Sequence, residues 1–230
     1  MFKNIFSKQP PPSWLQPYFD AKSNKPTTDK LLRALRFVVL DTETTGLNVK
    51  EDDLLSIGAI AIENQSIIIN DSLESIVFNE KSVQNDAILI HGILPTDTKE
   101  GKQAKIALEE FVNFLGNSVI VAHHTGFDMA MLNKAIRKFY PSFSLYNYDL
   151  DTAKMAMKVD GVSPSRQVVD KKQYTLDALC NRYNIEMVER HTAWGDAYTT
   201  ALLFLKLAAI LAERKEDRLS DFLPRRVGLF

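Results

Sequence analysis

The order of the predicted strands and helices constrains this chain more than any other feature of its sequence. Three strand patterns come first, over residues 36–41, 54–63 and 66–78, and Asn64-Gln65 suits a turn between the last two. Short apolar strands then alternate with amphipathic helices, and the chain continues into a run of helices. This order predicts an α/β fold in which helices flank a mixed sheet.

The later elements are predicted from the spacing of apolar side chains. Helices are expected at 102–115, 128–140, DTAKMAMK, YTLDALCNRY and 193–213, and short strands at 118–122 and LYNYDL. Residues 160–172 are polar and predict a surface loop. The apolar stretch ALLFLKLAAILA is interrupted by Lys206, so we expect it to be too short to span a bilayer.

The composition divides the chain into three parts. Residues 1–35 form a Pro-rich, basic N-terminal extension, residues 36–213 the regular domain, and residues 214–230 a C-terminal tail. The extension contains the apolar side chains of Trp14, Tyr18 and Phe19, and TTDKLLRAL predicts a short capped helix at its end. It is interpreted as an arm that packs on the domain, a disordered tail, or a peptide that docks on a partner.

Charge and cysteine content exclude several classes of protein. The formal net charge is −1, which argues against a long basic track for nucleic acid but allows contact with a few nucleotides in a pocket. Cys180 is the single cysteine, so neither an intrachain disulfide nor a cysteine metal site can form. MFKNIFSKQPPP does not have the apolar core of a signal peptide, and we expect a cytoplasmic protein without membrane contact.

The first strand pattern ends in charge, in the stretch FVVLDTETTGL. Residues i and i+2 of a strand project to the same face, so Asp41 and Glu43 point the same way if the strand extends that far. Two carboxylates this close repel each other unless a cation lies between them, and Mg²⁺ or Mn²⁺ prefers such oxygen ligands. Taken alone, the pair is also compatible with an exposed turn.

A third carboxylate, Asp128, follows another buried strand in VIVAHHTGFDMAMLNKAI. Sites in α/β sheets gather at the carboxyl ends of strands, so Asp128 is expected near Asp41 and Glu43. The alternative is a helix-start carboxylate favoured by the helix dipole. His123 and His124 are expected to be structural or surface groups.

The third group is His191 and Asp196 in RHTAWGDAYTTALLF. Five residues along a helix differ by about 140° in direction, so the two side chains cannot share a helix face. If both serve one site, His191 lies on the loop before the last helix and Asp196 in its first turn. A loop histidine titrates near neutral pH and suits a general base.

Together, DTETTG, HHTGFD and HTAWGD resemble the three motifs of the DEDDh family of 3′–5′ exonucleases, and within this family they resemble those of the proofreading epsilon subunit of bacterial DNA polymerase III. The phrases HGI (91–93), YDLDTA and YTLDALCNRYNI fall between the motifs in the family's order. His124 replaces the usual asparagine, and Trp194 replaces an aliphatic residue, so the finer shape of the nucleotide pocket is left open.

The resemblance implies a ribonuclease H-like fold with a five-stranded mixed sheet, and hydrolysis of phosphodiesters with two divalent cations, Mg²⁺ or Mn²⁺. It assigns the four carboxylates of Asp41, Glu43, Asp128 and Asp196 as metal ligands, with Asp41 bridging both ions. It assigns His191 as the base that takes a proton from the attacking water.

The resemblance also assigns substrate-binding residues. Thr44, Thr45 and Gly46 would lie against the terminal nucleotide, Leu47 would wedge against its base, and His91 would form another wall of the pocket. A wedge of this kind is tolerant of sequence, which suits removal of any nucleotide from a single-stranded DNA end.

Two other functions stay open at this level. One is the same chemistry on RNA, as in ribonuclease T or oligoribonuclease. The other is an accessory module that binds DNA polymerase III or its sliding clamp, because the final RRVGLF faintly resembles short clamp-binding peptides.

Overall fold

The computed structural model describes residues 10–79, 88, 91–162 and 168–223. Its strands are β1 (Phe37–Thr44), β2 (Leu54–Glu63), β3 (Ser66–Ile76), β4 (Val119–Ala122) and β5 (Asp149–Asp151), and they form a sheet in the order β3-β2-β1-β4-β5. The pairs β1–β2 and β2–β3 are antiparallel, whereas β1–β4 and β4–β5 are parallel. The predicted mixed, five-stranded sheet is confirmed.

Helices cover both faces of this sheet. They are α1 (Gln16–Ala21), α2 (Pro95–Glu100), α3 (Ala104–Leu115), α4 (Thr125–Arg137), α5 (Thr152–Val159), α6 (Leu176–Tyr183) and α7 (Ala193–Glu213). Helix α4 begins before the predicted residue 128, because His124 in a left-handed conformation (φ 64°) precedes its first turn. The apolar pattern starts later than the helix, so it did not predict residues 125–127 as helical.

Helix α7 contains the apolar stretch ALLFLKLAAILA. The whole helix has 21 residues and, by length and composition alone, is apolar enough to cross a bilayer. However, 56% of its most apolar window is buried inside the protein, where it packs on β1 and β2. Its apolar character is therefore accounted for largely by the core of the domain.

The alternation of β1 separates the two layers of the core. Phe37 and Val39 pack on the side of α5, α6 and α7, whereas Val38 and Leu40 pack on the side of α3 and α4. The next residues continue this alternation. Asp41 therefore faces the α7 side of the sheet, and Thr42 faces the α4 side.

The described part of the N-terminal extension packs on the α3/α4 side. Trp14, Leu15 and Tyr18 are buried among the apolar residues of that layer. The Tyr18 hydroxyl donates to Asn147 Oδ1 (2.5 Å) and accepts from the backbone N–H of Tyr146 (3.1 Å). From Trp14 onward, this segment is thus an arm fixed on the domain.

The helix predicted at TTDKLLRAL is reduced to a 3₁₀ turn, Leu32–Ala34. Leu31 is instead extended and bridges Arg218, and the backbone N–H of Leu32 donates to Asp217 O (2.8 Å). Pairing with the C-terminal segment replaces the intrahelical bonds. The clamp-like RRVGLF and residues 163–167 of the loop predicted at 160–172 lie outside the described residues.

Candidate active site

Asp41 and Glu43 lie at the carboxyl end of β1, which extends to Thr44. Their side chains therefore share one face of the sheet, as the DTET spacing predicts. Asp41 is paired across β1–β2 with Gly58, and a bulge follows between Glu43 and Thr44. Within the described residues, neither carboxylate has a hydrogen-bond donor, so both are available to a cation.

The start of α7 reaches this pair through close backbone contact. A Cβ atom at Gly58 would lie 2.1 Å from the carbonyl carbon of Ala193, so only glycine allows the helix to approach. Gly195 is equally confined, because its Cβ would lie 2.2 Å from Glu189 O. Thr192 caps the helix by accepting the backbone N–H of Gly195 (3.0 Å).

Asp196, in the first turn of α7, completes a group of three carboxylates. One oxygen from each of Asp41, Glu43 and Asp196 lies within 4.8 Å of the others. Asp196 Oδ1 is buried and has no hydrogen-bond partner in the described parts of the chain. A buried carboxylate oxygen that lacks a hydrogen-bond donor is costly unless a cation binds it. This set of three carboxylate oxygens therefore fits a hard divalent ion.

Asp128 approaches from the other face of the sheet. It lies in the first turn of α4 and is 4% exposed. Thr42 Oγ1 donates to Asp128 Oδ1 over 2.7 Å. Asp128 is close enough to Asp41 for their charges to interact strongly, although it is not within the three-carboxylate group. The four predicted carboxylates therefore meet at one sheet edge, three on the α7 side and one on the α4 side.

Burial raises the pKa of all four carboxylates, and the charges of the neighbouring site carboxylates add to the shift at Asp41 and Glu43. The pKa of Asp41 lies well above its ordinary value because of burial and the charges of Asp128 and Glu43. Burial and the charge of Asp196 raise the pKa of Glu43 to about 8. Burial also raises the pKa of Asp128, although the hydrogen bond from Thr42 lowers it in part. It raises the pKa of Asp196 in the same way, although the charge of Arg190 partly offsets this shift. Divalent cations would reverse these shifts by favouring the ionised carboxylates.

His191 lies on the loop before α7, and Asp196 in the first turn, as their spacing requires. The histidine is exposed and has a left-handed backbone (φ 69°). Its Nδ1 lies 3.2 Å from Nη1 of Arg190. Because a guanidinium only donates, Nδ1 accepts here, and a neutral ring carries its proton on Nε2.

The loop after Glu43 is held firmly and presents one apolar side chain. Thr44 Oγ1 donates to Gly46 O (2.7 Å), and Thr45 Oγ1 donates to Asp52 Oδ1 (2.8 Å). Asp52 also accepts the backbone N–H of Asn48 (2.8 Å). Leu47, between these anchors, is 86% exposed. A rigid turn with an unburied leucine is an arrangement suited to contact with a ligand.

The other histidines are not in contact with the carboxylates in the described structure. His91 is buried, and its Nδ1 accepts the backbone N–H of Ile93 (3.1 Å). His123 Nδ1 lies 2.8 Å from Thr152 Oγ1, and burial lowers the pKa of His123 to about 4. His123 is therefore a neutral, structural group, which agrees with the sequence expectation.

The sequence argument missed Thr42 and Arg190, which contact carboxylates of the site, and Asp177, which contacts Arg190. Thr42 lies between the two carboxylates of DTET, and Arg190 immediately precedes His191. Arg190 donates through Nε and Nη2 to Asp177 (2.7 and 3.2 Å) and through Nη1 to Asp196. Arg190 and Asp177 are 13 residues apart and form an ion pair only in the folded protein. A single sequence does not show that two such residues are neighbours.

Comparison with known proteins places this geometry in a family. The sequence profile described as Exonuclease matches residues 38–204. This range contains all four carboxylates and His191. The chain therefore belongs to the exonuclease family, and the resemblance drawn from the three motifs is confirmed at that level.

Similar proteins include replicative polymerases and one of their subunits. The PolC-type DNA polymerase III of Caldanaerobacter subterraneus subsp. tengcongensis is 29% identical over 177 residues, which cover 77% of this chain and 12% of that protein. DNA polymerase III subunit epsilon of Buchnera aphidicola subsp. Schizaphis graminum is 29% identical over 182 residues, which cover 76% of this chain and 75% of that protein. This chain thus spans about an eighth of the PolC-type relatives.

Among solved structures, E. coli Exonuclease I in complex with a dT13 oligonucleotide matches with a TM-score of 0.66 and 19% identity, over 79% of this chain and 42% of that one. At this identity the match establishes the fold alone. The ribonuclease H-like architecture predicted from the motifs is thereby confirmed.

Proposed function

We propose that this protein is a metal-dependent 3′–5′ exonuclease that releases nucleoside monophosphates from single-stranded DNA ends. The observation that supports this most is the approach of Asp41, Glu43 and Asp196 to within 4.8 Å, with a donor-free buried oxygen on Asp196. Membership of the exonuclease family supplies the reaction class.

Asp41, Glu43, Asp128 and Asp196 would hold two divalent cations, Mg²⁺ or Mn²⁺. When bound, such ions supply charge stabilisation for the attacking and leaving oxygens of an in-line displacement. The chain's own part is to keep the ligands fixed. Thr42 holds Asp128 from one face, and the contact at Gly58 brings Asp196 to Asp41 from the other.

His191 is proposed as the general base. It lies on an exposed loop beside Asp196, where it can take a proton from water. Its Nδ1 accepts from Arg190 in this structure, so proton transfer to Nδ1 requires that contact to break. The other nitrogen, Nε2, accepts a proton only in the opposite tautomer.

The proposed substrate contacts are Thr44, Thr45, Gly46 and Leu47. Their loop is braced by Asp52, and Leu47 is free to pack against a base. Stacking and apolar contact do not depend on base identity, which suits removal of any terminal nucleotide. His91 is kept as a more distant pocket wall, supported by its buried Nε2 without a partner in the described structure.

The test compares matched strands of DNA and RNA that are labelled at the 5′ end. The protein is incubated with each strand in Mg²⁺ or Mn²⁺, with EDTA, and as the Asp41→Ala variant. We expect stepwise shortening of DNA from the 3′ end, faster than that of RNA, and none with EDTA or the variant. Shortening that survives EDTA would reject the metal site, and faster shortening of RNA would reassign the substrate.

We also propose a cytoplasmic role beside a replicative polymerase. The support is that similar segments occur within PolC-type polymerases and in a polymerase subunit. Co-elution of the full chain with a purified DNA polymerase III catalytic subunit on gel filtration is expected. Separate elution at micromolar concentrations of both proteins would reject a stable complex.

A further inference from the structure

Arg190 forms an ion-pair bridge at the edge of the proposed metal site. Its guanidinium binds Asp177 with two donors and Asp196 with a third. The side chain is 25% exposed, so solvent screens these contacts only in part. Of the ion pairs in the described ranges, the one between Arg190 and Asp196 is the pair that reaches a proposed metal ligand.

The bridge divides the two oxygens of Asp196 between different tasks. Oδ2 accepts from Arg190, while Oδ1 is buried and has no donor in the described structure. Arg190 thus fixes the carboxylate plane and leaves Oδ1 for a cation. Groups that hydrogen-bond to a metal ligand commonly orient it in this way. Such groups are usually hydrogen-bond acceptors, whereas Arg190 is a donor that adds positive charge.

That charge acts on the whole cluster. Arg190 interacts electrostatically with Asp41 and Glu43 as well as with Asp196. It therefore offsets repulsion among the carboxylates when no metal is bound. When a divalent ion binds at the same carboxylates, the two cations repel each other at short range in a partly buried site.

We propose that Arg190 is a positioning residue that acts as the internal counter-ion of the metal site, and that Asp177 sets how much of its charge reaches Asp196. In the metal-free protein Arg190 stabilises the carboxylates, and it lowers the affinity for the first divalent ion. The same guanidinium holds His191 Nδ1, so the proposed base is engaged by Arg190 in this state. This inference rests on the proposed metal-dependent function.

Mn²⁺ binding to the full chain tests the proposal without measuring activity. Free Mn²⁺ is followed by electron paramagnetic resonance, and thermal unfolding is recorded with and without Mn²⁺. Arg190→Gln is expected to tighten Mn²⁺ binding by about tenfold, because it removes a positive charge close to the bound ion. It should also lower the unfolding temperature of the metal-free protein.

Asp177→Asn leaves the arginine charge but removes its other partner, so it is expected to weaken Mn²⁺ binding. A purely structural role would shift both variants in the same direction. Arg182→Gln is the matched control, because Arg182 pairs with Asp160 and Gln173 away from the cluster; its Mn²⁺ affinity should equal that of the wild type.

Unchanged or weaker Mn²⁺ binding by Arg190→Gln would overturn the proposal, as would tighter binding by Asp177→Asn. If Arg190→Gln does not fold, the sign measured for Asp177→Asn decides. Absence of Mn²⁺ binding by the wild-type protein would instead reject the proposed metal-dependent function.

Discussion

Thr42 and Asp128, which belong to different motifs, meet on the α4 side of the sheet and are joined by a hydrogen bond of 2.7 Å. Thr42 is directed to the α4 side because it follows Leu40 in the alternation of β1. The threonine between two carboxylates thereby supports a third carboxylate. The end of β1 thus positions carboxylates on both faces of the sheet.

Thr42→Val should weaken metal binding while leaving the volume of the side chain nearly unchanged. Loss of the hydroxyl frees Asp128 to rotate, and outer partners of ligands typically contribute 10–100-fold to affinity. We expect Mn²⁺ affinity and turnover to fall by about tenfold or more, measured by titration and by a nuclease assay. Thr42→Ser keeps the hydroxyl and should stay near wild type; an equal loss in both variants would contradict the role of the hydrogen bond.

His191→Gln should separate catalysis from metal binding. A positioned general base contributes about 10²–10⁴-fold, so turnover should fall by that factor. Mn²⁺ affinity should stay close to wild type, because the proposed metal ligands are the four carboxylates. Asp41→Asn, by comparison, should lose both turnover and Mn²⁺ binding. If His191→Gln also abolished Mn²⁺ binding, histidine would be a ligand and not a base.

Metal should stabilise the protein more at high pH than at low pH. Glu43 has a folded pKa of about 8 against an ordinary 4.5, so the folded metal-free site holds a proton that the unfolded chain has lost between these values. The free energy of unfolding of the metal-free protein therefore falls as pH rises through this window. Mn²⁺ replaces that proton, so the metal-induced increase in unfolding temperature should grow from pH 5 to pH 8. A pH-independent increase would contradict the raised pKa.

Leu47→Ala should affect substrate binding and not folding. Because the side chain is 86% exposed, truncation should change the free energy of unfolding by less than about 0.5 kcal/mol. We expect KM for single-stranded DNA to rise while Mn²⁺ affinity is unchanged. Val188→Ala, also at an exposed apolar position, is the control for a general surface effect. Equal KM values for wild type and Leu47→Ala would remove Leu47 from the substrate contacts.

Tyr18→Phe should destabilise the domain from outside the matched exonuclease region. The hydroxyl has two partners, and its loss leaves the buried Asn147 Oδ1 and the Tyr146 N–H without theirs. The free energy of unfolding should fall by about 1–3 kcal/mol in urea titrations, with Mn²⁺ affinity unchanged. Tyr198→Phe removes a hydroxyl that makes no hydrogen bond within the described residues and should be neutral. An arm that is only loosely attached would make both variants neutral.

The sheet and the long helix could be predicted because local patterns and tertiary packing agree there. Residues 54–63 and 193–213 have the bounds that their apolar patterns predict, since both are largely buried. The segment 27–35 differs because its helical pattern competes with backbone pairing to Asp217 and Arg218. A partner so far along the chain leaves no local pattern.

The same limit applies to the site. Positions of Asp41, Glu43 and Asp196 follow from strand alternation and helix phase, which are short-range rules. The arrangement around them does not follow from such rules. The ion pair between Arg190 and Asp177, and the placement of Asp128 on the opposite layer, depend on which elements become neighbours in three dimensions.

The backbone contact at Gly58 has a consequence for variation at this position. Gly58 is the strand partner of Asp41 and also touches the start of the helix that carries Asp196. A side chain there would displace the helix from the strand and widen the gap between Asp41 and Asp196 without altering either carboxylate. Tolerance to substitution at residue 58 would therefore measure how strictly the proposed function depends on the distance between these two carboxylates.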